Sequence, residues 1–169
     1  MSKPLFRAVK LPEASSGSLY LHSMPGYKEP LKDSLDEITW RLVDRVVCLA
    51  HPAEVAHYSP TYARALADGA VPCEVTSFPI VDMGTPVSRE EYLKLAQGIA
   101  NELRGGKNIL IHCAYGIGRT GTLCASVLAL LGYSLNDAIR FTALAGSKPE
   151  VSAQQGLIAW VAGQPRALP

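Results

Sequence analysis

The eleven residues His112-Cys113-Ala114-Tyr115-Gly116-Ile117-Gly118-Arg119-Thr120-Gly121-Thr122 stand between the apolar triplet Ile109-Leu110-Ile111 and an apolar run from Leu123 to Leu131. A short apolar run, a glycine-bearing loop and a longer apolar run read as strand, loop and helix. That order places the loop at a helix start, where orphan N–H groups and the positive end of the helix dipole favour an anion.

The side chains in the loop match that setting. Cys113 and Arg119 are separated by five residues. A free cysteine titrates near 8.5, and a helix N-terminus or a nearby cation lowers that to roughly 3.5–7.5, so Cys113 is expected to be a thiolate at neutral pH. Arg119 offers a planar fork able to grip two phosphate oxygens together. Gly116 and Gly118 supply the dihedral freedom or close approach of an anion-binding nest, to which Ala114, Tyr115 and Ile117 add backbone N–H groups. Two plainer readings stand beside this one. A cysteine at a strand end often serves only as a small buried hydrophobe, and glycine-rich strand-to-helix turns also occur in nucleotide-binding folds. This loop lacks both the Lys-Ser/Thr ending of a P-loop and the GxGxxG spacing.

The run His112-Cys113-x-x-Gly116-x-x-Arg119-Thr120 resembles the signature loop of the cysteine-dependent protein tyrosine and dual-specificity phosphatases. The resemblance implies a sequence of roles. Cys113 attacks phosphorus in line and forms a phosphocysteine, Arg119 and the loop amides stabilise the equatorial oxygens, and water then releases phosphate. Thr120 is implied to hydrogen-bond the Cys113 sulfur and help it leave. His112 is implied to brace the loop without acting as base.

An alkoxide or phenoxide leaving group needs a proton, so such a mechanism requires an acid elsewhere in the chain. Asp82 is the candidate, within Pro79-Ile80-Val81-Asp82-Met83-Gly84-Thr85-Pro86. That segment is similar to the acid loop of small dual-specificity phosphatases. The competing reading is an Asp that only shapes the Gly84 turn. Two further positions follow from the same resemblance. Ser152-Ala153-Gln154-Gln155 is similar to a later family motif, Gln-Thr-x-x-Gln, in which the final Gln positions the hydrolytic water; Val151 departs from its first position, and a Ser-x-x-Gln capping box reads equally well at Ser152 and Gln155. Cys48 occupies a strand expected beside the one leading to Cys113 and reads first as core packing; the alternative, from the resemblance, is that it traps the oxidised nucleophile as a disulfide, as a second cysteine does in some related phosphatases.

With 169 residues the chain is expected to form one phosphatase domain, 1–169, with a core over about 18–162. A chain of this size buries roughly 70% of its unfolded surface. Sixteen Lys and Arg against fifteen Asp and Glu leave a net charge of +1 with no long basic run, which argues against nucleic acid or an anionic membrane as a main partner. The N-terminus has no apolar signal region, and the run from Leu123 to Leu131 is far shorter than the ~20 residues of a membrane span. Four cysteines without a Cys-x-x-Cys pair fit a reducing compartment, and a cytoplasmic location is expected. His22, His51, His57 and His112 lack zinc-site spacings, so neither a metal nor another cofactor is expected.

Periodicity predicts an α/β fold with a central four- or five-stranded, mostly parallel sheet flanked by helices and a helical C-terminal part. Ser18 to His22 reads as a strand. Leu31, Leu35, Ile38 and Leu42 recur at helical spacing before a strand at Val46 to Leu49. Ser59 as N-cap, Pro60 at N1 and Gly69 past the end bracket a helix. A strand from Val71 to Phe78, near an edge because of Pro72 and Pro79, precedes a helix opened by a Ser88/Glu91 capping box and closed by Gly105-Gly106. Helices are then expected from about Arg119 to Leu131, Ser134 to Ala145 and Ser152 to Ala162, the last two with Ser N-caps. The first 17 or so residues and the tail Gln164 to Pro169 are expected to fray.

The family resemblance makes a phosphorylated protein the first-choice substrate, carrying phosphotyrosine with or without phosphoserine and phosphothreonine. The loop bears no extra cation, which disfavours inositol lipids. A nonprotein phosphomonoester such as a phosphoinositide or nucleotide, a noncatalytic phosphate-binding module and a sulfurtransferase are the alternatives. The oligomeric state is left open.

Overall fold

In the computed structural model, which describes residues 4–166, the strands are β1 (Arg7–Ala8), β2 (Ser18–His22), β3 (Arg45–Cys48), β4 (Glu74–Ser77) and β5 (Asn108–His112). They form one sheet in the order β1-β2-β5-β3-β4. Only the β1 to β2 pairing is antiparallel; the other three are parallel. β5 lies at the centre, its His112 paired with His22 of β2 and with Cys48 of β3.

Strand side chains alternate between faces, and the packing follows that period. Leu19, Leu21, Val47, Ile109 and Ile111 bury one face against α4 (Arg89–Arg104), α5 (Gly118–Leu130) and α7 (Ser152–Ala162). Tyr20, Val46 and Leu110 turn the other way and pack with Ile38 of α1 (Leu31–Trp40). Cys48 continues that second face among Met24, Ala50, Val55 and Tyr62, the last two from α2 (Pro52–Tyr58) and α3 (Pro60–Ala67). Every residue of α5 is buried, and from Leu123 to Leu130 the helix is apolar on all sides apart from Ser126. A Cβ at Gly121 would overlap the backbone of Lys148, so this glycine lets the link between α6 (Leu135–Leu144) and α7 lie directly on the helix.

Several expectations need correction. From residue 4 onward the N-terminal segment is not frayed: Arg7 and Ala8 extend the sheet, and Phe6 and Val9 are buried. Phe6 packs into the sheet's second face, while its N–H is held by Glu37. At the other end, Gln164 donates to the Trp160 carbonyl; residues 167–169 of the expected tail, like residues 1–3, lie outside the described residues. Leu42 is not on α1: the helix stops at Trp40, and Leu42 sits exposed with φ +54°. β4 is an edge strand as expected but spans only Glu74–Ser77. The unanticipated α2 opens with a capping box of His51 and Glu54. Of the expected box on α4, the Ser88 oxygen accepting from the Glu91 N–H is present. Ser134 caps α6 as expected, but α7 starts from Val151 with no side-chain cap, which removes the capping-box reading of Ser152 and Gln155.

Candidate active site

The strand-to-helix turn between β5 and α5 folds around the Cys113 sulfur. The Gly116 N–H donates to Sγ at 3.2 Å and the Thr120 hydroxyl at 3.1 Å. Gly116 has φ +73°, and a Cβ there would overlap the His22 carbonyl, so glycine is required by both conformation and space. Among the described residues, the N–H groups of Ala114, Tyr115, Ile117, Gly118 and Arg119 find no acceptor. Buried backbone donors are almost always paired, and Ala114, Gly118 and Arg119 are buried. A loop that leaves five together beside a thiol at a helix N-terminus is built to receive an oxyanion.

Arg119 completes the enclosure. Its side chain is 1% exposed. Nη1 and Nη2 donate to the two oxygens of Glu54 at 2.8 and 2.9 Å, and Nη1 also donates to the Ile80 carbonyl at 2.8 Å. A guanidinium has five N–H donors in a fixed plane. With three engaged in this way, the remaining pair is the side edge formed by Nε and the second Nη2 hydrogen. Nε is buried without a partner among the described residues. Glu54 therefore orients the fork and leaves its lateral edge for an anion. Burial alone would push the Glu54 pKa up; the hydrogen bonds from Arg119 and the His51 N–H, with the Arg119 charge, outweigh it and hold the carboxyl below the usual 4.5.

His112 is buried behind the loop. Nδ1–H donates to the Cys113 carbonyl at 2.9 Å, which leaves Nε2 to accept from the Tyr62 hydroxyl at 3.0 Å. Burial lowers its pKa to about 4, so the ring is neutral over the physiological range and acts as a strut.

Asp82 stands at the mouth. The segment leading to it continues the sheet: the Phe78 N–H donates to Cys48 and the Ile80 N–H to Leu49. Beyond it the Gly84 N–H closes a turn onto Val81, and the Gly84 carbonyl accepts from Gln154 at 3.1 Å. Val81, Asp82 and Met83 project between these two moorings and are exposed. Asp82 Oδ1 accepts from the Met83 N–H at 3.0 Å and lies 3.4 Å from Arg119 Nη2. The carboxylate thus shapes its own turn and also reaches the guanidinium.

The other candidates fall as follows. Tyr115 is exposed, its hydroxyl 3.2 Å from that of Tyr58, and Tyr27 packs edge-on against both rings, forming an uncharged aromatic rim. Gln155 is exposed on the first turn of α7; the buried neighbour Gln154 is the one that contacts the Asp82 loop. Cys48 packs beneath Ala114, its thiol directed at the Ala50 carbonyl and its pKa raised by burial to about 11. Among the described residues no cluster of three His, Cys, Asp or Glu side chains is placed to hold a metal ion, and no helix is long and apolar enough to cross a membrane. Glu54 and Tyr62 were missed in the sequence. His51-Pro52-Ala53-Glu54, with Pro at N1 and Glu at N3, was the available signal for the helix that carries Glu54.

A family model described as "PTP-SAK: Swiss Army Knife protein, DSP-PTPase phosphatase domain" matches residues 21–166. A 52-residue stretch, 31% of this chain, is 44% identical to tyrosine-protein phosphatase 2 of Dictyostelium discoideum. That stretch spans only 13% of the length of the Dictyostelium protein. Among solved structures, kinase associated phosphatase, with its catalytic-site cysteine replaced by serine, superposes with a TM-score of 0.79 at 18% identity, over 98% of this chain and 100% of that one. Tk-PTP in its active form gives a TM-score of 0.74 at 25% identity, over 97% of this chain and 100% of that one.

Proposed function

The chain belongs to the DSP-PTPase phosphatase domain family, and from that premise we propose that it hydrolyses phosphotyrosine in protein substrates through a phosphocysteine intermediate, with phosphoserine and phosphothreonine as secondary substrates. One observation carries the reading: the loop whose Gly116 N–H and Thr120 hydroxyl hold the Cys113 sulfur leaves five of its own N–H groups without an acceptor, and the buried Arg119 Nε at its helical end has no partner among the described residues.

The steps follow from those positions. The phosphoryl group enters with its three non-bridging oxygens against the loop amides and the Arg119 edge. Cys113 Sγ attacks phosphorus in line, the S–P bond forms as the P–O bond to the leaving group breaks, and Asp82 supplies the proton that the departing oxygen needs. Amides and guanidinium act on charge that moves outward onto the equatorial oxygens, and fixed donors of this kind are worth most in a water-poor site. In the second step water attacks phosphorus, Asp82 takes its proton, and the sulfur leaves as thiolate, supported by the donors already on it, Thr120 and the Gly116 N–H. The Tyr27, Tyr58 and Tyr115 rim supports an aryl phosphate on a polypeptide over a polyanionic headgroup, because it offers ring surface and no cation.

The test is hydrolysis of p-nitrophenyl phosphate and of phosphotyrosine, phosphothreonine and inositol phosphate substrates, with Cys113→Ser in parallel. Turnover of the aryl phosphate and the phosphotyrosine peptide, abolished in Cys113→Ser, is expected. Binding without turnover, or persulfide formation from thiosulfate, would reject the reading.

A further inference from the structure

Arg7 reaches the phosphate loop from the far end of the chain. Its Nη2 donates to the Gly116 carbonyl at 2.7 Å. Nη1 donates to the Ala145 carbonyl at 2.7 Å and to Ser147 Oγ at 2.9 Å. Ser147, itself buried, donates its hydroxyl hydrogen to the same Gly116 carbonyl at 2.6 Å. Both acceptor sites of that carbonyl are therefore filled, one by a cation and one by a hydroxyl that the cation orients. Gly146 makes room: a Cβ there would sit 2.7 Å from Arg7 Nη1, and its φ is +86°.

The pinned carbonyl belongs to a planar trans peptide, in which C=O and N–H point in opposite directions. The N–H on its other side is that of Ile117, one of the five without an acceptor. Gly116 is the loop residue whose backbone is freest to rotate. If this peptide turned over, it would present a carbonyl dipole to the sulfur and the phosphoryl oxygens in place of a donor. The two groups are also electrostatically coupled: burial lowers the Arg7 pKa, and its interaction with the Cys113 sulfur opposes that lowering.

We propose that Arg7 is a positioning residue of the phosphatase site, which through the Gly116 carbonyl holds the Gly116–Ile117 peptide with its N–H facing the bound oxyanion. This rests on the phosphatase reading of the same loop. It gives β1 a role beyond extending the sheet: the strand delivers a guanidinium to the outward carbonyl of the anion loop, while Glu54 holds the guanidinium of Arg119.

The experiment uses the full chain and four forms: wild type, Arg7→Met, Arg7→Lys and Ser147→Ala. Read out are kcat/KM for p-nitrophenyl phosphate, inhibition by orthovanadate, the pH profile of Cys113 alkylation by iodoacetamide, and Tm. Losing a charge-assisted bond to the loop is expected to lower kcat/KM of Arg7→Met about tenfold and to weaken vanadate inhibition by a similar factor. The alkylation profile should move to higher pH. Arg7→Lys, which keeps the charge but not the fork, should restore the alkylation profile and only part of the vanadate affinity. Ser147→Ala leaves β1 intact and removes the second donor, so it should move vanadate inhibition in the same direction even if Arg7→Met does not fold. A lowered Tm with wild-type vanadate inhibition and a wild-type alkylation profile would reduce Arg7 to a structural tie and overturn the proposal, as would a Ser147→Ala variant with unchanged inhibition where Arg7→Met is unfolded. A wild type inactive on every aryl phosphate would instead overturn the phosphatase reading.

Discussion

Glu54→Gln tests whether the phosphate-gripping fork is held in place from outside the loop. The carboxylate takes two charge-assisted hydrogen bonds from Arg119, at 2.8 and 2.9 Å. Bonds of this type contribute roughly 1.5–3 kcal/mol each when fully desolvated. Arg119 is buried, but the Glu54 side chain is 23% exposed, so solvent screening reduces the pair to about 2 kcal/mol. Gln retains one acceptor and turns its amide donors toward a guanidinium that has none to accept them. For a chain of this length, where 1 kcal/mol moves Tm by about 2–4 °C, the variant should melt about 4–8 °C lower at pH 7. The freed fork should also lower kcat/KM on p-nitrophenyl phosphate at least tenfold, the equivalent of about 1.4 kcal/mol. The pH dependence has a definite sign. Glu54 titrates below its usual 4.5 in the folded state, so the unfolded chain binds more protons there. The stabilisation is present above 4.5 and is lost as pH falls through the depressed folded value. Urea melts of both forms at pH 7, 5 and 4 should therefore differ at the two higher values and converge at lower pH. Equal stability and equal kcat/KM at pH 7, or a gap that does not narrow on acidification, would refute the reasoning.

Asp82→Asn should slow hydrolysis of a phosphate ester with a poor leaving group about 10²-fold, the lower end of what general-acid help supplies, and should change an activated aryl phosphate far less; equal losses on both would reject the acid role. Gly116→Ala forces a side chain into a φ of +73° and into the His22 carbonyl, so a stability loss of several kcal/mol, about 3 or more, is expected in denaturant melts. Buried His112 titrates at about 4 in place of 6.5. The unfolded chain takes up the proton first, so wild-type stability should fall by up to about 3 kcal/mol as pH drops from 6.5 toward 4, and His112→Asn should flatten that limb.

What could be read from the chain, and what could not, divides by range. The phosphate loop was legible because its strand, glycines and helix lie within a few tens of residues of one another, each with a local signature. α3 and α6 were legible from caps that Ser59 and Ser134 supply, and the edge position of β4 from its flanking prolines. β1 has two residues and α2 seven, too few to show a period. The partners that complete the site are nonlocal: Glu54 meets Arg119 across 65 residues and Arg7 meets Gly116 across 109. No local rule links such positions. The N-terminal segment has the charge and prolines of a loose end, and the contacts of Phe6 and Arg7 with distant elements override that local tendency. At α7 the sequence pattern read equally well as a Ser152/Gln155 capping box or as a water-positioning Gln155; helix packing instead buries Gln154, which ties the Glu150 N–H to the Gly84 carbonyl.

The central claim is that phosphate passes through the sulfur of Cys113. Rapid acid quench during turnover of p-nitrophenyl phosphate, followed by peptide mass spectrometry, tests it most directly. The account predicts a phosphorylated peptide containing Cys113 in the wild type, at higher occupancy when breakdown is slowed in Asp82→Asn, and none in a Cys113→Ala variant without activity. Steady hydrolysis with phosphate on no cysteine, or turnover that survives in Cys113→Ala, would contradict it.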